Sequence, residues 1–458
     1  RQIISLFPNC KTINTANQDI GDLVESRQSA FELMAKRYKL SDARSQALKE
    51  YFKDMPEYQG RLEAIERAVS DKDFLIENKN TALTLFGKDM SFSASQLETY
   101  SKCPFMYFCR YGLRANPRER AKLDARMGGN VVHYVLEMVL SEYRHKEFLS
   151  LSEDKLHERI KFHLSEYMRL YMSDSEQNSI RFSYLYSRMF KILTHLFERL
   201  TDEFGDSDFE PCEFELSIDS ESIVKPFKVE LKEGSVELMG KIDRVDKMDK
   251  DGKRYIRIVD YKTGVKDFEL SDVFYGVNMQ MLLYLISIWR GGSEFYENIT
   301  PAGILYFPAN LLSCDIDRNE SEESKQKKLL SRGKMKGMLV LDDESIEAMD
   351  KSKRAVFLPV TFDKKTGQVK GKFITLLQLE KLGKTIDEII INMGDSLHDG
   401  IVGARPLSGS GNSETCQWCN YKDICLKDNP KIRYAEKLSH DDCLRKLAGG
   451  EDSGESLD

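Results

Sequence analysis

The sequence predicts an α/β fold whose core runs helix, antiparallel strands, helix, strand, with a helical insertion after the first core helix and a helical segment in front. Three observations predict it. Apolar residues recur at spacings of three and four up to about residue 204. The period shortens to two in segments between residues 213 and 262. Helical spacing then returns at residues 272–289, ahead of one more strand at 302–307. At roughly 150 residues per domain, a chain of 458 residues holds about three units or fewer.

Residues 1–85 read as the leading helical segment. Leu23, Phe31, Leu33, Met34 and Tyr38, then Leu48, Tyr51 and Phe52, then Leu62, Ile65 and Val69 keep helical spacing with few breakers. The main domain spans residues 86–432. Ser93 and Gln96 make a capping-box pattern that opens a short helix toward Cys103 and Pro104. A long amphipathic helix is expected from about residue 127 to 143, and residues 145–204 form the helical insert. Residues 213–219, 236–245 and 255–262 read as strands, with Asp249, Lys250, Asp251 and Gly252 turning between the last two. Residues 315–336 are expected to be a mobile basic loop, and 376–397 the last long helix. Residues 433–458 form a C-terminal tail that is expected to be partly disordered, being rich in Gly, Ser and acids after Gly449. No internal repeat is present.

Composition excludes several classes. With 41% hydrophobic and 31% charged residues the chain buries a core and is not disordered as a whole. No run of about 18 apolar residues occurs, so neither a membrane span nor a membrane partner is expected. The chain begins at Arg1 with no signal-peptide pattern, and it reads as a fragment of a longer, cytoplasmic protein. The net charge of −7 argues against a globally basic nucleic-acid binder. Local charge points the other way: Lys325, Lys327, Lys328, Arg332, Lys334 and Lys336 stand together with no acid among them. A second basic stretch runs over residues 351–372, with Asp363 its single acid. Both also fit solvated loops, and as DNA contacts their binding should weaken steeply with salt. Nine cysteines in a chain of this size do not suggest a secreted disulfide scaffold.

The most informative stretch is Asp260-Tyr261-Lys262-Thr263-Gly264 at the end of a strand. Side chains alternate along a strand, so Asp260 and Lys262 share a face. Burying an acid and a lysine there costs free energy unless they have partners or work. The preceding strand carries Gly240, Asp243 and Asp246, and antiparallel pairing sets Asp243 beside Asp260. Two carboxylates and a lysine then share a space suited to a hard divalent cation, which takes oxygen ligands. An ordinary surface hairpin with a salt bridge is the plainer reading. Gly129, His133 and Glu137 lie on one helix face at spacings of four, as do Gln280 and Tyr284 on the helix after the strands. Taken singly, these are ordinary helix residues.

Together, Gly129 with His133, Gly240 with Asp243, Asp260-Tyr261-Lys262 with Thr263-Gly264, and Gln280 with Tyr284 resemble, in the same order, the nuclease domain shared by the RecB and AddB families. That domain has a PD-(D/E)xK restriction-endonuclease-like core. The resemblance covers about residues 91–430. It implies that His133, Asp243, Asp260 and the Tyr261 carbonyl hold Mg²⁺ or Mn²⁺, and that Lys262 positions or activates water. It also implies that Gln280 and Tyr284 steady the site and the DNA. Phosphodiester hydrolysis needs charge neutralised at phosphate and a nucleophile made near neutral pH, and a metal supplies both.

Cys416, Cys419 and Cys425 follow the last long helix at metal-ligand spacing, and a fourth ligand must come from Cys10, Cys103, Cys109, Cys212, Cys314 or Cys443. Spacing alone leaves Zn²⁺ and an iron–sulfur cluster both open. The segment from Ser93 to Cys103-Pro104-Phe105 resembles the one that gives the first cluster cysteine in AddB-type nucleases. The resemblance therefore implies a [4Fe–4S] cluster on Cys103, Cys416, Cys419 and Cys425, clasping the two ends of the domain, with Cys109 as the internal rival to Cys103. It further implies an AddB-type component of a bacterial helicase–nuclease, paired with an AddA-like subunit. Such a component cuts the 5′-ended single strand of DNA during double-strand break repair.

Gly383-Lys384-Thr385 looks like the end of a phosphate-binding loop, but Gln378 stands where the first glycine is needed and the segment is helical. No such loop is expected. A non-catalytic DNA-binding or scaffold subunit with a cysteine clasp, a related Fe–S exonuclease, and a zinc-bound protein–protein module are the competing functions.

Overall fold

A computed structural model describes residues 26–40, 42–69, 74–116, 125–172, 180–264, 267–291, 298–310, 321, 324, 328, 331–363, 366, 368–409, 415–425 and 431–449. The tail beyond Gly449, most of the basic loop, and Cys10 and Cys314 lie outside the described residues. The chain divides into two compact units, Arg1–Phe74 with Lys422–Asn429, and Leu75–Tyr421 with Pro430–Asp458.

In the first unit, three helices form as the apolar spacing predicts: α1 (Arg27–Lys36), α2 (Ala43–Lys53) and α3 (Pro56–Val69). Ser26 and Ser29 close a capping box on α1, and the Asp42 side chain caps α2 by accepting from the Ser45 amide. Their core is aromatic: Phe31 meets Phe52 edge-on at 5.1 Å between ring centroids and Tyr58 at 4.8 Å. Leu75 onward, including α4 (Lys79–Phe86), groups with the second unit.

The second unit is built on a mixed sheet of eight strands among the described residues. Strand β4 (Ser235–Lys250) is its axis. Its first half pairs with β1 (Met90–Ser93), in parallel, and with β3 (Phe227–Glu230), antiparallel. Its second half lies between β2 (Glu210–Ile218) and β5 (Lys253–Lys262), antiparallel to both. Beyond β5 the sheet continues with β6 (Ile299–Pro308), parallel to β5, then β7 (Lys336–Val340) and β10 (Phe373–Ile374). Strands β8 (Val360–Phe362) and β9 (Val369–Gly371) form a separate hairpin. Asp251 (φ 51°) and Gly252 (φ 74°) both take the left-handed conformation that a tight hairpin turn requires between β4 and β5. The predicted turn is in place, but β4 runs five residues past the predicted end at residue 245.

Helices cover both faces. One core joins Ile242, Ile256 and Ile258 to helices α5 (Ala94–Lys102), α9 (Gln280–Gly291) and α10 (Leu376–His398). The other joins Tyr255, Val259 and Tyr261 to α6 (Ala125–Ser141), α7 (Glu153–Tyr171) and α8 (Ile180–Gly205), the last two being the insert. Alternation along β5 thus sends Tyr261 to the insert side. The Ser93–Gln96 capping box opens α5 as predicted. The helix predicted at 272–289 is broken instead. A short turn at Leu270–Val273 ends in Gly276 (φ 73°) and Asn278 (φ 60°) before α9 begins. A Cβ on Gly276 would lie 2.1 Å from the Ser101 Oγ, so α5 and this turn meet backbone to side chain only because the residue is glycine. Gln378, the residue that spoils a phosphate loop, is the capping-box partner of Thr375 at the start of α10.

Candidate active site and metal centre

Strand β2 changes face at Glu215. Phe214 packs with the insert helices, Leu216 with the opposite core, and Glu215 between them has φ 50°. A left-handed residue in a strand re-aims its own side chain away from the regular alternation. The pairing of Phe214 with Arg244 and Leu216 with Ile242 puts Glu215 opposite Asp243. On the other side of β4, the register that pairs Arg244 with Val259 puts Asp243 opposite Asp260 one step further on. Three carboxylates therefore lie across three adjacent strands.

His133 reaches this row from α6. Its Nδ1 lies 3.4 Å from Asp243 Oδ2 and 3.5 Å from Glu215 Oε1, and its Nε2 donates to the Tyr261 carbonyl at 3.1 Å. The Tyr261 amide in turn donates to Asp243 Oδ2 at 2.9 Å. Burial works against charge on the imidazole, but hydrogen bonds and charge from Asp243 and Glu215 prevail and raise His133 to about 10. Glu215 is held below the usual carboxylate range: burial opposes ionisation, and His133 and Lys241, the latter 2.8 Å away, overcome it. His133, Glu215 and Asp243 form a group able to hold a metal ion. Their donor set, one imidazole nitrogen and two carboxylates beside a backbone carbonyl, suits a divalent cation. The mostly buried carboxylates demand positive charge, which a divalent cation would supply in place of the imidazole proton, leaving the His133 nitrogen free to ligate.

Asp260 is only 4% exposed and lies 2.5 Å from Lys262 Nζ, which is 26% exposed and sits 5.9 Å from the Tyr306 ring centre. Gln280 donates to the Tyr284 hydroxyl at 3.4 Å. Burial pushes the Tyr284 hydroxyl up, and the charges of Asp243 and Asp260 add to the rise, so this hydroxyl feels both carboxylates. A Cβ on Gly240 would stand 2.4 Å from the Tyr284 ring. Glycine three residues before Asp243 is thus what lets α9 lie close against β4. Gly129, one turn before His133, faces Thr263. Glu137, one turn after, is raised by burial and sits within the field of Lys241 and Glu215.

The sequence reasoning missed Glu215. The signal that points to it is positional: it lies in the strand predicted at 213–219, antiparallel to the one carrying Asp243. The intervening β3 hides the register.

Around the cysteines, Cys103 ends α5 and is buried, Cys419 is half-buried and Cys416 exposed. Burial pushes the Cys103 thiol up, against amides of Met106, Phe105 and Arg405 that donate to its sulfur, and Cys419 raises it further. Cys425 lies on the short helix Lys422–Cys425, within the stretch assigned to the first unit. Cys109 and Cys443 are buried in the core that includes Tyr421. Of the basic run, Lys325 and Lys327 lie outside the described residues. Lys328 and Arg332 are exposed, Lys334 donates to the Val360 carbonyl at 2.9 Å, and Lys336 lies 4.0 Å from Asp267.

The chain is similar to the B subunit of the ATP-dependent helicase/deoxyribonuclease of Thermoanaerobacter sp. strain X514, 31% identical over 74% of this chain and 30% of that protein. It is similar to the same-named proteins of Clostridium perfringens strain ATCC 13124, 30% identical over 87% of this chain and 36% of that protein, and of Clostridium acetobutylicum, at 28%, 87% and 35%. The chain thus spans about a third of the length of these curated relatives. The sequence profile of the PD-(D/E)XK nuclease superfamily matches residues 91–426, which carry His133, Glu215, Asp243, Asp260 and Lys262 alike. With the sheet, the acidic row and the profile in agreement, the chain belongs to the PD-(D/E)XK nuclease superfamily.

Proposed function

We propose that this chain is the nuclease domain of an AddB-type helicase–nuclease component that hydrolyses phosphodiester bonds of single-stranded DNA with a divalent cation, Mg²⁺ or Mn²⁺. The observation that carries the reading is the convergence of Glu215 and Asp243 within 3.5 Å of His133 Nδ1, next to the Asp260–Lys262 pair. His133, Glu215, Asp243 and the Tyr261 carbonyl would hold the cation, with Asp260 on the adjacent strand. A divalent cation in such a site neutralises phosphate charge and lowers the pKa of water. Lys262, released from Asp260, orients the attacking water or the scissile phosphate. Gln280 fixes the Tyr284 hydroxyl, and Tyr284 closes the wall beside Asp243.

The relatives' name, which joins helicase and deoxyribonuclease in one multi-subunit enzyme, supports a DNA substrate and a multi-subunit complex; an AddA-like subunit is the partner proposed with it. The setting proposed with it is the bacterial cytoplasm during double-strand break repair, with the 5′-ended strand as substrate. No helix among the described residues is long and apolar enough to cross a membrane. A [4Fe–4S] cluster on Cys103, Cys416, Cys419 and Cys425 is part of the same proposal. The amides donating to the Cys103 sulfur support it, since hydrogen bonds to sulfur stabilise thiolate ligands. Lys328, Arg332 and Lys336, with Lys325 and Lys327, are the proposed DNA contacts; Lys334 is tied to Val360.

The test is cleavage of end-labelled single-stranded DNA with Mg²⁺, comparing the chain with Lys262→Ala and with an EDTA control. Loss of cutting in both supports the reading, with Lys262→Ala lowering the rate about a hundredfold or more. Cutting that survives EDTA or ignores Lys262 refutes it.

A further inference from the structure

Behind the acidic row, on the insert side of the sheet, four charged side chains have almost no contact with solvent: Glu203 at 1% exposure, and Arg244, Asp246 and Arg257 at 0%. Glu203 comes from the last turn of α8, Arg244 and Asp246 from β4, and Arg257 from β5. Arg244 donates to Glu203 at 3.1 Å and to Asp246 at 2.9 Å. Arg257 donates to Asp246 at 2.8 Å and to Glu203 at 2.5 Å. Phe204 and Phe209 lie against the two guanidinium groups, with ring centres 5.0 Å away in each case. Two positive and two negative charges balance. Burial disfavours the Glu203 carboxylate, yet the two arginines hold it ionised.

A buried ion cluster of this kind is a poor stabilising device, because a well-packed apolar replacement is often as stable or more so. Its geometry suggests another use. Arg244 Nη1 donates to the Tyr261 hydroxyl at 3.1 Å. Tyr261 is the residue whose amide donates to Asp243 and whose carbonyl accepts from His133. Its ring is thus held by the cluster, while its backbone touches two of the three side chains that converge at the acidic row.

We propose that the Glu203–Arg244–Asp246–Arg257 cluster is a positioning device: through the Tyr261 hydroxyl it fixes the Tyr261 backbone, and with it His133 and Asp243, for cation binding. The proposal rests on the reading of His133, Glu215 and Asp243 as a cation site. It also gives the insert a function, since Glu203 is the one member of the cluster that the insert supplies. None of the four residues touches substrate or cation; they act through Tyr261.

Tyr261→Phe removes one hydrogen bond and leaves the ring, the amide and the carbonyl in place. Mn²⁺ binding is measured calorimetrically on the full 458-residue chain without DNA, beside thermal unfolding without metal. The expected result is an affinity loss of about tenfold, the scale on which outer partners of metal ligands act. The Mn²⁺ concentration for half-maximal cutting rises by the same factor. Glu203→Gln gives the same loss from the insert; if it fails to fold, Tyr261→Phe decides alone. Unchanged Mn²⁺ affinity in Tyr261→Phe, whatever its unfolding temperature, overturns the proposal and leaves the cluster a structural one. If the parent chain and Asp243→Asn bind Mn²⁺ alike, the cation-site reading fails and the proposal with it, so the two failures are distinguishable.

Discussion

At Gly240 a single hydrogen atom separates the β4 backbone from the Tyr284 ring. Adding a methyl group there brings a Cβ to 2.4 Å from a ring carbon, and Tyr284 is too buried to swing aside. Gly240→Ala should therefore destabilise the second unit by about 1–3 kcal/mol, as overpacking does, measured by denaturant unfolding. It should also depress cutting beyond that loss, because Tyr284 borders Asp243 and Asp260. A variant as stable and active as the parent would show that α9 can retreat from the sheet. At this scale part of the site's geometry was legible. Asp260 and Lys262 were predicted to share a face, and they meet at 2.5 Å. Asp243 was predicted to lie beside Asp260; the strand pairing runs as far as Arg244 with Val259, and Asp243 accepts from the Tyr261 amide next to Asp260. Glu215 was not legible, because its place depends on a left-handed backbone residue that a period-two pattern does not contain.

Among the elements, one helix start was read from its cap, a local signal: Ser93 with Gln96 opens α5 where the pattern put it. Strands β3 and β7 were missed, because short strands within a sheet are made by their neighbours more than by their own sequence. The break before α9 was missed for a related reason. Residues 272–289 are apolar enough for one helix, and only the close approach of Ser101 to Gly276 shows why the chain turns there. Helix α2 offers a pH test. Asp42 accepts from the Ser45 hydroxyl and amide, and these bonds hold its carboxyl down at about 2, below the unfolded value of about 3.9. A carboxylate with a lowered folded pKa contributes stability that is fully present above the unfolded value and is lost as pH falls through the folded one. The helical unit should therefore lose stability between about pH 4 and pH 2 on account of this cap. Asp42→Asn keeps a capping oxygen and should flatten that part of the acid response in circular dichroism, without harming the helix at neutral pH. An unchanged acid profile would assign the loss to other groups.

For the molecule as a whole, the proposed cluster is a long-range constraint: Cys103 and Cys416 are separated by more than 300 residues. Closing so long a loop restricts the unfolded chain, and holding metal only in the folded state adds stability by linkage. Replacing Cys103 or Cys419 singly with Ser should abolish bound iron and lower the unfolding temperature, whereas Cys109→Ser should retain iron. Iron retained without Cys103 would move the ligand role to Cys109. Spacing and resemblance single out these cysteines as the proposed ligands. The amides that converge on the Cys103 sulfur were not foreseeable, because they come from two distant stretches of chain.

The last turn of α8 also sets a limit on how the domain can be trimmed. The insert looks like a removable decoration, two long helices between α6 and β2, and a designer seeking a smaller nuclease would excise it. Cutting it off whole would remove Glu203 and strand two buried guanidinium groups against a single carboxylate. It would also remove Arg199, which donates to the carbonyls of Pro308 and Gly333. A workable excision leaves the final two turns of α8 attached to β2 and shortens the insert from its far end.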